Sequence, residues 1–157
     1  MKKITSEFDV DALIVDDYDI NLELTKYMLE MMKCRVDGVA SGKEALEKAA
    51  AKTYDIVFMD IQMPEMDGIE TMEKIREDYD QYKKIPFVAL TANAIEGDRE
   101  KYLNAGMDDY ISKPITAEKL ADILIRQISK DKDAAIEILK DSTSTFNKQW
   151  STYRQQK

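Results

Sequence analysis

Asp16-Asp17, Asp60, Thr91 and Lys113 are the residues whose types and settings could do chemistry together. Each follows a short apolar run: Ala12–Val15 leads to the acid pair, Ile56–Met59 to Asp60, Pro86–Leu90 to Thr91, and Asp109–Ile111 to Lys113-Pro114. Charged residues are almost never fully buried unless paired, so a run built for burial that finishes on a carboxylate needs a reason. Two unit charges ~4 Å apart at an effective dielectric near 20 interact by about 4 kcal/mol. Three gathered carboxylates therefore need a proton or a cation. Hard oxygen donors without imidazole or thiolate favour Mg²⁺, which binds through one or two carboxylates, waters and phosphate oxygens. Lys113 would bring a compact positive charge suited to a phosphate oxygen, and Thr91 a hydroxyl donor. An aspartate can itself act as the nucleophile and carry a phosphoryl group.

These residues meet only if the chain aligns the ends of its apolar runs, and the pattern predicts that it does. Short apolar runs alternate with segments of helical period, as in repeated βα units with a parallel sheet. The predicted strands are Ala12–Val15, Arg35–Ala40, Ile56–Met59, Pro86–Leu90 and Asp109–Ile111. Between them the spacing predicts helices over Ile20–Lys33, from Ser41 to Lys52, over Gly68–Asp78 and over Ile95–Ala105, and a last one capped by Thr116. In the first helix Ile20, Leu24, Tyr27, Met28 and Met31 share one face, read as the core face. In the last, Leu120, Ile123, Leu124 and Ile128 do the same. Right-handed crossovers then place helices on both faces of one five-stranded sheet, a doubly wound α/β sandwich. In such sheets the ligand site lies beyond the carboxyl ends of the strands, where the acids, the hydroxyl and the amine are gathered.

Composition limits the alternatives. The 157 residues suit one ordinary domain, with 44% hydrophobic and 34% charged residues. A net charge of −8 argues against nucleic acid as a direct partner, since that binding depends on neutralising phosphates. No apolar run approaches the ~20 residues of a membrane span, and Met1–Glu7 lacks a signal peptide's apolar core, so the default compartment is the cytoplasm. A single cysteine excludes an internal disulfide, and Cys34 reads as a small, partly buried thiol. The chain has no histidine, so histidine catalysis, histidine metal ligation and phosphohistidine chemistry within it are all excluded.

"LIVDDYDIN", "IVFMDIQMPEMDGIE", "PFVALTANA" and "DDYISKPI" resemble, in order and spacing, the receiver domain of two-component response regulators. The resemblance runs from about Asp11 to Ile128. It implies the flavodoxin-like strand order 2-1-3-4-5, with Asp60 as phosphoacceptor and Asp16 and Asp17 holding Mg²⁺ together with Asp60. The main-chain carbonyl of Gln62 would be a further ligand, and Thr91 and Lys113 would contact the phosphoryl group. Tyr110 would be the switch aromatic that turns inward as Thr91 closes. Gln62 and Asn93 stand where side chains tune phosphoryl lifetime. The resemblance also pairs Lys113 with a cis proline bond, and places partner binding or a homodimer around Gly97–Ala105 and Asp108-Asp109.

The implied function is a signalling receiver that catalyses only its own phosphorylation and slow dephosphorylation. The phosphoryl donor must be a partner histidine kinase, a phosphotransfer protein or a small phosphodonor, because the chain lacks histidine. A hydrolase using an aspartyl intermediate would need a second acid two residues after its nucleophile, and Gln62 stands there. A non-phosphorylated scaffold remains the alternative, although its usual sign, a missing acid, Thr or Lys, is absent. Residues 1–129 read as the receiver and 130–157 as an extension with no separate output domain. That extension holds six Lys/Arg and four Asp/Glu, hence +2 against −10 for the first 129 residues. Asp131–Lys140 can form a helix there, and Trp150 is a residue type that anchors interfaces. Output would then pass through protein–protein contact or onward phosphotransfer, from either a free-standing receiver or one cut from a hybrid kinase.

Overall fold

Three apolar segments, β1 (Asp11–Val15), β3 (Ile56–Asp60) and β4 (Phe87–Thr91), are buried at nearly every residue. β2 (Arg35–Val39) and β5 (Asp109–Ser112) are far more exposed. The computed structural model explains the difference by position: the strands form one parallel sheet in the order β2-β1-β3-β4-β5, with the polar strands at its edges. Residues 10–92 and 96–128 are described; the segment from 129 onward, with the expected helix over 131–140 and Trp150, lies outside them, as does Asn93.

Between the strands run α1 (Asp19–Met31), α2 (Gly42–Ala51), α3 (Gly68–Asp78), α4 (Glu96–Asn104) and α5 (Ala117–Gln127). Side-chain alternation along the strands splits the core in two. Ile14, Ile56, Phe58, Val88 and Leu90 pack against Met28 and Leu29 of α1 and Leu120, Ile123 and Leu124 of α5. Leu13, Val57, Met59, Phe87 and Ala89 pack against Ala45 of α2, Met72 and Ile75 of α3 and Tyr102 of α4. Helices thus cover both faces. No helix among the described residues is long and apolar enough to cross a membrane.

The orientation of α1 corrects the sequence reading. Its buried residues are Leu22, Thr25, Met28 and Leu29, whereas Ile20 is 65% exposed and Tyr27 44%. The helix is turned by roughly a third of a turn from the expected face, at 3.6 residues per turn. Thr25 explains the error: it is polar by type, yet it is almost fully buried beside Leu22 and Leu29. A short 3₁₀ turn at Asp80–Lys83 was also not anticipated. It buries Tyr82, whose hydroxyl donates to the Lys52 carbonyl at 2.7 Å and accepts from the Tyr54 amide at 3.0 Å.

Capping sets where the helices begin. Ser41 accepts from the Glu44 amide at 3.1 Å, and the Glu44 carboxylate accepts from the Ala40 amide, one residue ahead of the cap. Asp67 and Glu70 make a complete capping box on α3, at 2.9 and 3.2 Å. Directly after it, Gly68 lies against the end of β3. A Cβ there would fall well inside van der Waals contact of the Asp60 carbonyl oxygen and 2.8 Å from Met59 Cγ. Backbone atoms cannot step aside as a flexible side chain can. Gly68→Ala is therefore expected to cost about 1–3 kcal/mol in urea unfolding, as overpacking does, and to shift Asp60. An unchanged urea midpoint would show that the turn has slack.

Candidate active site

Parallel strands end at one edge of the sheet, and there the structure assembles the expected residues. β1 ends at Val15 and is followed by Asp16 and Asp17; β3 ends on Asp60 and β4 on Thr91. β5 runs on to Lys113, whose bond to Pro114 is cis. Carboxylate oxygens of Asp16, Asp17 and Asp60 all lie within 4.8 Å of one another. Lys113 Nζ stands 3.5 Å from Asp60 Oδ1 and 3.7 Å from Asp16 Oδ2. Asp16 is wholly buried and Asp60 is 4% exposed, while Asp17 faces solvent.

Main-chain amides complete part of the bonding. The Gln62 amide donates to Asp60 Oδ1 at 3.2 Å, and the Tyr18 amide to Asp16 Oδ1 at 3.0 Å. Among the described residues, buried Asp16 Oδ2 has no hydrogen-bond partner, only the Lys113 ammonium at 3.7 Å. A buried charged oxygen in that condition is costly, and a cation is one remedy. Burial above all, and then the charge of Asp16, push the Asp60 carboxyl up to about 7; Lys113 offsets only part of this. The cluster offers oxygen donors alone, and one of its buried carboxylate oxygens takes no hydrogen bond from the described residues. Those residues fit Mg²⁺.

Two tyrosines flank β4, one on the adjoining strand β5 and one on α4. Tyr110 is half-buried and carries the Arg99 guanidinium 5.5 Å from its ring centroid. The ring that meets the Thr91 hydroxyl is Tyr102 of α4, with the two oxygens 2.9 Å apart. Sequence reasoning missed Tyr102, because neighbouring Tyr102 and Leu103 look alike as apolar residues on a polar helix. Only the fold separates them: Tyr102 is 6% exposed and Leu103 38%. Cys34, by contrast, belongs to the core layer against α1 and α5. It is buried, and desolvation pushes its thiol up to about 12.

Comparison with known proteins gives a consistent answer. A family model described as the response regulator receiver domain matches residues 12–125. The chain is 42% identical over 118 residues to hybrid signal transduction histidine kinase L of Dictyostelium discoideum, covering 72% of the chain and 7% of that protein. It is 42% identical over 121 residues to signal transduction histidine-protein kinase BarA of Escherichia coli, covering 77% of the chain and 13% of that protein. The chain thus spans only a small part of these relatives' length. Among solved structures, the receiver domain of a sensor histidine kinase from Pseudomonas aeruginosa, with a magnesium ion coordinated in its active site cleft, superposes with a TM-score of 0.70. That match has 38% identity and covers 76% of this chain and 98% of the other. The chemotaxis protein CheY4 of Vibrio cholerae gives a TM-score of 0.72 at 28% identity, covering 76% and 99%.

Proposed function

The chain belongs to the response regulator receiver domain family of two-component signalling, and on that premise we propose that it accepts a phosphoryl group from a partner's phosphohistidine onto Asp60. The carrying observation is the setting of Asp60, a buried carboxylate between two further acids and Lys113. An Asp60 oxygen attacks phosphorus, forming an O–P bond as the donor's N–P bond breaks. The electron pair returns to the imidazole nitrogen, which then takes a proton from water. Only ionised Asp60 can attack, and with its carboxyl near pH 7 about half would be ionised there without help.

Asp16, Asp17, Asp60 and the Gln62 carbonyl would hold Mg²⁺. Bound there, the ion would supply positive charge against the crowded carboxylate and phosphoryl oxygens. Lys113 is placed to meet one phosphoryl oxygen, and Thr91, after turning, to donate to another. Tyr110 would follow Thr91 inward, turning a local charge into a change of surface. Slow hydrolysis of the aspartyl phosphate would time the signal without making the protein a metabolic enzyme.

The named relatives are histidine kinases, which supports a kinase or its phosphotransfer partner as donor. Residues 1–129 would form the receiver, with 130–157 as an extension, working in the cytoplasm. Intact mass after incubation with Mg²⁺ and a small phosphodonor tests this reading. The expected gain is one phosphoryl group, lost in Asp60→Asn and on chelating Mg²⁺. Repeated failure, with a phosphohistidine donor as well, would favour the scaffold alternative.

A further inference from the structure

We propose that Tyr102 is a positioning residue that holds the Thr91 hydroxyl withdrawn, so that a phosphoryl group on Asp60 must draw Thr91 away from it; this rests on the phosphoacceptor reading above. The two hydroxyl oxygens lie 2.9 Å apart. Both residues are buried, Thr91 at 4% exposure and Tyr102 at 6%, so water competes little for the bond. Strand alternation sets the direction. Thr91 follows Phe87 and Ala89 in steps of two, and their side chains belong to the layer that contains Tyr102. Asp60 follows Ile56 and Phe58, which belong to the opposite layer, against α1 and α5. The Thr91 hydroxyl is therefore engaged on the side of the sheet away from the one toward which Asp60 alternates.

Either oxygen of the pair can be the donor, so the bond is lost through the turn of Thr91 toward the Asp60 side and not through a shortage of protons. When Thr91 turns to a phosphoryl oxygen it gives up its bond to Tyr102, whose buried hydroxyl loses a partner. A neutral hydrogen bond of this kind biases an equilibrium by about fivefold. Tyr102 thus weights the receiver toward its unphosphorylated arrangement. It also ties that arrangement to α4, because Tyr102 cannot lose its partner without consequence for the helix that carries it. Tyr110, against Arg99, is left to respond second.

The test uses beryllium fluoride, a mimic of the phosphoryl group, with Mg²⁺, followed by fluorine NMR of the protein-bound species. Tyr102→Phe keeps the ring and removes the hydroxyl. It is expected to bind the mimic about fivefold more tightly than wild type, the reciprocal of the lost bias. In a Thr91→Val background the gain should vanish, since no hydroxyl remains at that position to be held. A gain that persists in the double variant would mean that the ring acts through packing, and would overturn the proposal. So would unchanged or weaker binding by Tyr102→Phe while wild type binds well. If wild type itself failed to bind, the reading of Asp60 would fall, and this inference with it.

Discussion

Metal-free Asp60→Asn is expected to be more stable than metal-free wild type at pH 8, by about 3 kcal/mol, and nearly equal to it at pH 4. The sign follows from the direction of the shift. Burial and the Asp16 charge raise the folded-state carboxyl to about 7, while an unfolded aspartate titrates near its ordinary value of about 3.9. Between these values the folded state binds more protons, so stability falls as pH rises through that window. Below it the acid is neutral and the penalty is absent; above about pH 7 the penalty is complete. At about 1.36 kcal/mol per pH unit the ceiling is about 4 kcal/mol, and an asparagine that keeps the Gln62 amide contact should recover most of it. Urea unfolding in chelator at the two pH values reads the difference directly. An equal difference at both would place its origin in packing, away from charge. Added Mg²⁺ should stabilise wild type and do little for the variant, because the acid cluster that would hold it is assembled only in the folded state.

Arg76→Ala should be the most damaging change away from the active site, costing about 3–4 kcal/mol and lowering Tm by about 10 °C. Arg76 Nε donates to the Tyr82 carbonyl at 3.2 Å, Nη1 to the Gly106 carbonyl at 2.7 Å, and Nη2 to the Ile85 carbonyl at 2.9 Å. Nη2 also pairs with Asp108 Oδ2 at 2.9 Å, and the guanidinium lies 4.7 Å from the Phe87 ring centroid. That carboxylate oxygen in turn receives the Phe87 amide at 2.9 Å. One side chain thus fastens α3 to the entry of β4 and to the turn before β5. Alanine takes a charged donor from three carbonyls, of which that of Tyr82 keeps the Ile85 amide at 3.3 Å, and loosens Asp108. Lysine, whose three donors share one nitrogen and cannot span the fork, should recover less than half of the loss. Thermal and urea melts of the three proteins decide this. Full rescue by lysine would mean that charge alone mattered and the fork did not.

Much of the site was legible because strand ends advertise their residues. An apolar run that stops on Asp60, and another that stops on Thr91, can be seen without coordinates. Lys113 followed by Pro114 was also clear from the motif. The strand order and the cis bond needed the resemblance, since no local pattern encodes either. What stayed hidden depends on long-range packing. Thr25 is buried against its type, so the face of α1 was misjudged. Tyr82 sits in a turn too short to carry a period, yet it closes the end of the core beneath Lys52 and Tyr54. The capping box of Asp67 shows only when Glu70 folds back. Tyr102 could not be chosen over Leu103 until the helix was placed on the sheet.

The Arg76 bond to the Gly106 carbonyl also decides how α4 can move. Gly106 stands just past the end of that helix, in a left-handed turn with φ of 112°. Any swing of the helix would therefore take that fastened turn as its fulcrum. At about 1.5 Å of rise per residue, Tyr102 lies about 6 Å from the fulcrum and residue 96 about 15 Å. A shift of about 1 Å at Tyr102 becomes about 2.5 Å at the first turn of α4, by proportion. On the proposed reading, a rearrangement of about 1 Å beside Asp60 would thus be displayed, enlarged, at the far end of the helix, where another protein could read it.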